Sequence, residues 1–191
     1  MKAKGDLPMV VNSLADQTKR SHFNIYRQAL EAAKEATTPF IALCEDDMLY
    51  SPEHFKYRPK NKPFAYNLGY WGIYTWQDPP IYNYKGRRNL GNLICDRLAF
   101  IEAMEERFSV HPDPVGQHLQ DIWAEPSKYE RQLRVTIREA EDFYTNPPNI
   151  KFSHPTELSF AGLGTRKRAG ELRAIEVDYW GRADKLRAYY D

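Results

Sequence analysis

The sequence is poor in several things. Of its 191 residues only Cys44 and Cys95 are cysteine. They stand far apart with no CxxC spacing, which excludes a disulfide framework or a zinc ribbon and reads as two reduced thiols that ligate no metal. No apolar run is long enough to cross a membrane, and the opening MKAKGDLPMVV is too short and polar to read as a secretion signal. Net charge is missing too, since 27 Lys and Arg against 26 Asp and Glu leave +1. That excludes the strong basic field of a dedicated nucleic-acid binder, although not a local basic patch. There is no internal repeat and no low-complexity linker. What remains is a soluble intracellular chain of one domain, 1–191, with the cytoplasm as its expected place.

What is present is a globular composition, 42% hydrophobic and 14% aromatic. PMVVNSL, 8–14, reads as a short strand. SHFNIYRQALEAAKEA, 21–36, reads as a helix with Ser21 as its N-cap and Phe23, Tyr26, Leu30 and Ala33 at helical spacing. TPFIALCE, 38–45, reads as a buried strand of a parallel sheet, because it is apolar on both faces. Together they predict a βαβ unit with a right-handed crossover. FAYNLGYWGIYTWQ, 64–77, predicts strands around a turn near Gly69 or Gly72. Residues 96–108 predict a helix with Leu98, Ile101, Met104 and Phe108 on one face, and 116–125 a second. The segment 131–144 fits strand or helix, NIKFSH at 149–154 a strand, and the basic stretch ELSFAGLGTRKRAGELR a loop.

The strand at 38–45 ends on three acids, Glu45, Asp46 and Asp47. In open α/β sheets ligands bind beyond the carboxyl ends of strands. Continued strand geometry points Glu45 and Asp47 one way and Asp46 the other. Clustered carboxylates need a neutralising positive charge, and hard oxygen donors suit Mg²⁺ or Mn²⁺. The plainer alternative is a solvated acidic turn before SPEHF.

The stretch NIYRQALEAAKEATTPFIALCEDDMLYSPEHF resembles the nucleotide-sugar-binding core of GT-A fold glycosyltransferases of the family-two type: an Ala-rich helix, an apolar strand, an acidic motif of the DxD kind and a later proline, here Pro52. PPNIKFSH, the Gly- and Arg-containing loop and YWGRADKL resemble the end of a small group of such proteins found in phage and environmental sequences. The resemblance covers residues 12–108 well and 147–187 loosely. It implies an α/β, Rossmann-like mixed sheet flanked by helices, and a metal-dependent hexosyltransferase acting on a nucleotide-sugar donor, with UDP as the expected nucleotide. In a virus the expected place becomes the host cytoplasm.

By position, the resemblance makes Asp47 the ligand of the Mn²⁺ or Mg²⁺ that bridges the donor diphosphate and His154 the late histidine completing that metal's shell. Glu45 would help hold the ribose or the metal, Asp46 would contact ribose or sugar, and Arg20, Ser21 and Arg27 would face the nucleotide from the loop and helix before them. Arg166 and Arg168, in GTRKR, would close over the phosphates. An inverting reaction needs a carboxylate to take the acceptor proton. Asp121, Glu125 and Glu139 qualify, and Glu141 and Asp142, ahead of the Asn-Pro-Pro segment, are the preferred pair.

The expected acceptor is a hydroxyl, and a glycan or a small molecule stays open as its carrier. The phage-like resemblance suggests the hydroxymethyl group of a modified pyrimidine in DNA, reached by base flipping. Arg87, Arg88, Arg166, Lys167 and Arg168 would then meet backbone phosphates, and the rings between Tyr66 and Trp76 either stack on sugar or base or, for most of them, belong to the core. In one respect the chain departs from the family. Only about 20 residues precede the helix, where family-two enzymes usually have a strand, helix and strand. A sheet edge left bare there invites pairing with a second copy. Two other classes stay open: a nucleotidyltransferase, which would normally show a Gly-rich phosphate loop near its start, and a non-catalytic nucleotide-sugar-binding module.

Overall fold

The computed structural model describes residues 21–112, 124–154 and 172–190. The strand expected at 8–14, nearly all of the helix expected at 116–125, and the basic loop with Arg166, Lys167 and Arg168 lie outside them, as do Arg20 and Asp121.

The first helix, α1 (His22–Glu35), starts where its cap predicts. Ser21 is extended, and its hydroxyl accepts a hydrogen bond from the Asn24 N–H. Its buried face carries Phe23, Tyr26, Leu30 and Ala33. After the five-residue α2 (Pro52–Lys56), the helix α3 (Arg97–Val110) is capped by Asp96, which accepts from the Ala99 N–H at 2.8 Å. Its buried residues are Phe100, Ala103, Met104 and Arg107, while Leu98 is 64% exposed. The stripe is therefore rotated from the expected face.

Two mixed sheets follow from the pairing. The first has the order β1 (Phe40–Ala42), β6 (Leu93–Asp96), β3 (Phe64–Asn67), β7 (Ala140–Phe143). The second has the order β2 (Met48–Leu49), β8 (Asn149–Ser153), β4 (Tyr70–Tyr74), β5 (Tyr82–Tyr84), β9 (Arg173–Ala174). A small hairpin of β10 (Glu176–Val177) and β11 (Gly181–Arg182) precedes the last helix, Ala183–Tyr190. Strand β1 is shorter than the apolar run that predicts it, pairs antiparallel with β6, and is only half-buried.

One parallel ladder ties the sheets together. β3 pairs with β7 from Phe64–Ala140 to Asn67–Phe143, and β4 pairs with β8 from Tyr70–Asn149 to Tyr74–Ser153. The line breaks at Leu68 and Gly69, where a bend rather than a hairpin turn carries the chain from sheet to sheet. Across the break the Leu68 N–H donates to the Phe143 carbonyl at 2.8 Å, and the Asn149 N–H to the Gly69 carbonyl at 2.9 Å. Gly69 fits closely there: a Cβ would stand 3.1 Å from both Asn67 Oδ1 and the Thr145 nitrogen, so a larger residue would push its neighbours back by a few tenths of an ångström.

The cores follow the sheets. Helices α1 and α3 cover one face of the first sheet, where Phe23, Tyr26, Phe100 and Met104 meet Phe64, Tyr66, Leu93 and Cys95. The second sheet packs Ile73, Tyr82, Ile150 and Phe152 against Val177 and Ala183. Cys44 is exposed, Cys95 is buried, and both are free thiols. Among the described residues no helix is long and apolar enough to cross a membrane.

Candidate functional site

The site lies where β1 ends and the chain turns into β2. Glu45 to Met48 form a tight turn, closed by the Met48 N–H donating to the Glu45 carbonyl at 3.3 Å. The Glu45 N–H donates to the Tyr50 hydroxyl at 2.8 Å, and the Asp47 carbonyl accepts from the Phe152 N–H at 2.8 Å. The turn is thereby fixed to β8. Burial raises the Tyr50 phenol far above its ordinary range, so this hydroxyl stays protonated and is within reach of Met48 Sδ, 3.5 Å away.

Lys151 sits opposite Met48 in the β2–β8 register and opposite Gly72 in the β4–β8 register. Its neighbours Ile150 and Phe152 point into the apolar core on the other face. Its ammonium lies 2.5 Å from Glu45 Oε2 and 3.1 Å from Asp47 Oδ2. All three side chains are partly buried, at 18% exposure for Lys151, 30% for Glu45 and 14% for Asp47. Asp46 points to solvent. The expected sorting of the acids is present, but a turn produces it, not a continued strand.

The surroundings are shaped to hold this pair. Glu45 lies on Gly91, in a short 3-10 turn over Leu90–Asn92, where a Cβ would stand 2.7 Å from Met48 Sδ and 3.0 Å from the Glu45 carboxyl carbon. Tyr70 is buried in the same neighbourhood. Burial raises its phenol above the ordinary value, and Arg87, Asn89 and Lys151 oppose that shift. Arg87 itself is exposed.

The other expected site residues are held by partners outside this cluster or are exposed. Glu141 accepts hydrogen bonds from the Tyr57 hydroxyl at 2.7 Å, the Lys60 N–H at 2.9 Å and the Asn61 N–H at 3.0 Å. Burial alone would raise its carboxyl; these donors outweigh it and hold it below the ordinary glutamate value. Asp142 is clasped by Arg88, with Nε at 2.6 Å and Nη2 at 3.1 Å. Arg88 also reaches Ser127 Oγ and the Ala140 carbonyl, so it braces β7. Glu139 pairs with Lys62, and Glu125 with Tyr26 and Lys128. Ser21 is engaged as the helix cap, and Arg27 lies on the exposed side of α1.

His154 Nε2 is 2.6 Å from the Tyr190 hydroxyl, whose ring stacks on Phe152 with centroids 4.1 Å apart. The histidine is tied to the last helix. The described residues do not fit a divalent metal centre: Lys151 holds both Glu45 and Asp47, and His154 is engaged by Tyr190. Among the described residues no group of three or more His, Cys, Asp or Glu side chains could hold a metal ion.

Lys151 and Tyr50 were not among the residues expected from sequence. A signal for Lys151 existed. It is the one charge in NIKFSH, flanked by Ile150 and Phe152 in a strand whose other residues are apolar or small and polar. A comparison with family models, curated proteins and solved structures finds no match to the chain.

Proposed function

We propose that the chain is a glycosyltransferase that moves a sugar from a nucleotide-sugar donor, with a UDP-sugar as the expected donor, to a hydroxyl acceptor. The observation that supports this reading is the convergence of Glu45, Asp47 and Lys151 beyond the carboxyl end of β1, with Arg87 and Tyr70 beside them. Transfer breaks the bond between the anomeric carbon and the diphosphate oxygen, and negative charge grows on the leaving diphosphate. A positioned ammonium is complementary to that charge. Carboxylates beside it can accept hydrogen bonds from ribose or sugar hydroxyls. Arg166 and Arg168, outside the described residues, belong to the same reading as phosphate contacts, and a hydroxymethylpyrimidine in DNA is the acceptor to try first.

The test is a donor screen that reads nucleoside diphosphate release with Mn²⁺, with Mg²⁺ and with a chelator, together with UDP titration by calorimetry. Lys151→Ala is expected to weaken UDP binding at least tenfold. Equal affinity in the variant and the parent chain would sink the assignment of the donor site.

A second reading, a non-catalytic nucleotide-sugar-binding module, is favoured by one observation. Glu125, Glu139, Glu141 and Asp142 are each held in a hydrogen bond or ion pair. That reading expects the same dependence of UDP binding on Lys151 but no turnover with any donor.

A further inference from the structure

We propose that Lys151 takes the place of a divalent cation between Glu45 and Asp47. Two carboxylates separated by one residue, on a turn with little exposure, repel each other, and a positive charge between them relieves that repulsion. In this protein that charge is covalent. The ammonium lies within 3.1 Å of an oxygen of each acid, on a side chain whose strand pairs with β2 on one side and β4 on the other.

Both acids reach this one point because of their local geometry. The Glu45–Met48 turn is pinned to Tyr50 and to the Phe152 N–H, and Gly91 leaves room for the Glu45 side chain. A metal ion entering between these oxygens would have to displace the ammonium, or sit against it and meet its repulsion. Among the described residues no third His, Cys, Asp or Glu side chain joins these two acids in a group that could hold a metal ion, and His154 is bonded to Tyr190. Lysine and a divalent ion are not equivalent here. The lysine supplies a single charge that is tethered to the chain, so the electrostatics of the site do not depend on metal supply.

The inference concerns the cation alone and is tested with Mn²⁺ alone, so its failure is distinct from failure of the glycosyltransferase reading, which the UDP titration decides. Mn²⁺ binding to the full chain is measured by electron paramagnetic resonance, with Lys151→Met and Lys151→Met/Asp47→Asn alongside. The parent chain is expected to show no saturable site that depends on Asp47. Lys151→Met is expected to bind Mn²⁺ at least tenfold more tightly, and the double variant to lose that gain. An Asp47-dependent site in the parent chain overturns the proposal, and so does a Lys151→Met variant that folds and gains nothing. Should that variant fail to fold, paramagnetic broadening in the parent chain decides. Signals of residues 45, 47 and 151 that stay sharp in submillimolar Mn²⁺ support the proposal, and selective loss of those signals refutes it.

Discussion

The side-chain amide of Asn149 donates to His54, with Nδ2 3.2 Å from the ring Nδ1. Asn149 Oδ1 accepts from the Ser51 N–H at 3.0 Å, so its amide nitrogen must face the ring. Asn67 is fixed in the same way. Its Oδ1 accepts from the Gly69 N–H at 2.8 Å, and its Nδ2 stands 3.3 Å from the same ring atom. Two donors therefore converge on Nδ1, which must accept, and the ring proton belongs on Nε2. All three side chains are fully buried at the break between the two sheets.

This fixes a pH dependence. Burial lowers the His54 pKa to about 4. In the unfolded chain the imidazole titrates near 6.5. Between these values the unfolded state binds the extra proton, so the contribution of neutral His54 is complete above about 6.5 and is lost as pH falls toward about 4. The loss is on the order of 3 kcal/mol. Urea denaturation is expected to show about 2 kcal/mol of it between pH 7 and pH 5, and His54→Phe should flatten that slope while costing about 1–3 kcal/mol at pH 7 through unpaired amide donors. An unchanged slope in the variant contradicts the assignment.

Arg107 is 1% exposed and anchors the segment after residue 123. Its guanidinium donates to the carbonyls of Ala124, Glu125 and Lys128 and to Glu130 Oε1. Arg107→Met should destabilise the fold by roughly 3–5 kcal/mol, because Glu130 is left as a buried charge without its partner. Adding Glu130→Gln should recover part of that loss. The check is a double-mutant cycle on urea midpoints, and strict additivity would speak against direct pairing.

Glu141 and Asp142 should behave as structural acids. Glu141→Gln keeps the shape but weakens the bonds that organise residues 57–61, and is expected to cost about 1 kcal/mol. Asp142→Asn, which loosens Arg88 from β7, is expected to cost a similar amount. Neither should change UDP affinity by more than about twofold, about 0.4 kcal/mol. Calorimetry beside thermal denaturation separates the two effects, and a large loss of UDP affinity with unchanged stability would place these acids back in the site.

Gly91→Ala should do the reverse. Its new methyl would meet Met48 Sδ at 2.7 Å and the Glu45 carboxyl carbon at 3.0 Å. Both are ends of flexible side chains, so the stability cost should stay near 1 kcal/mol. The Glu45 carboxylate must move, however, and UDP binding is expected to weaken severalfold. A variant with parent-like affinity would show that the position of Glu45 does not matter to the ligand.

The sequence by itself determined the local elements. Ser21 followed by a 3.6-residue apolar period fixed α1 and its buried face, and alternation in NIKFSH fixed β8. It also marked the acids at the strand end, because a charge cluster interrupts an apolar run there. What only tertiary structure decided is partnership. The run at 38–45 is apolar enough for a buried parallel strand, yet β1 lies antiparallel to β6, because strand direction depends on a segment some fifty residues away. The α3 period gives a stripe but not its bearing, so Leu98 falls outside the core and Phe100 within it. The same holds for the site. Period-two alternation sets Lys151 on the face opposite Ile150 and Phe152, but its carboxylate partner Glu45 is 106 residues away, brought near by the β2–β8 pairing. Local sequence sets backbone preference and side-chain phase; which charges meet is set by long-range packing, to which no short window of residues has access.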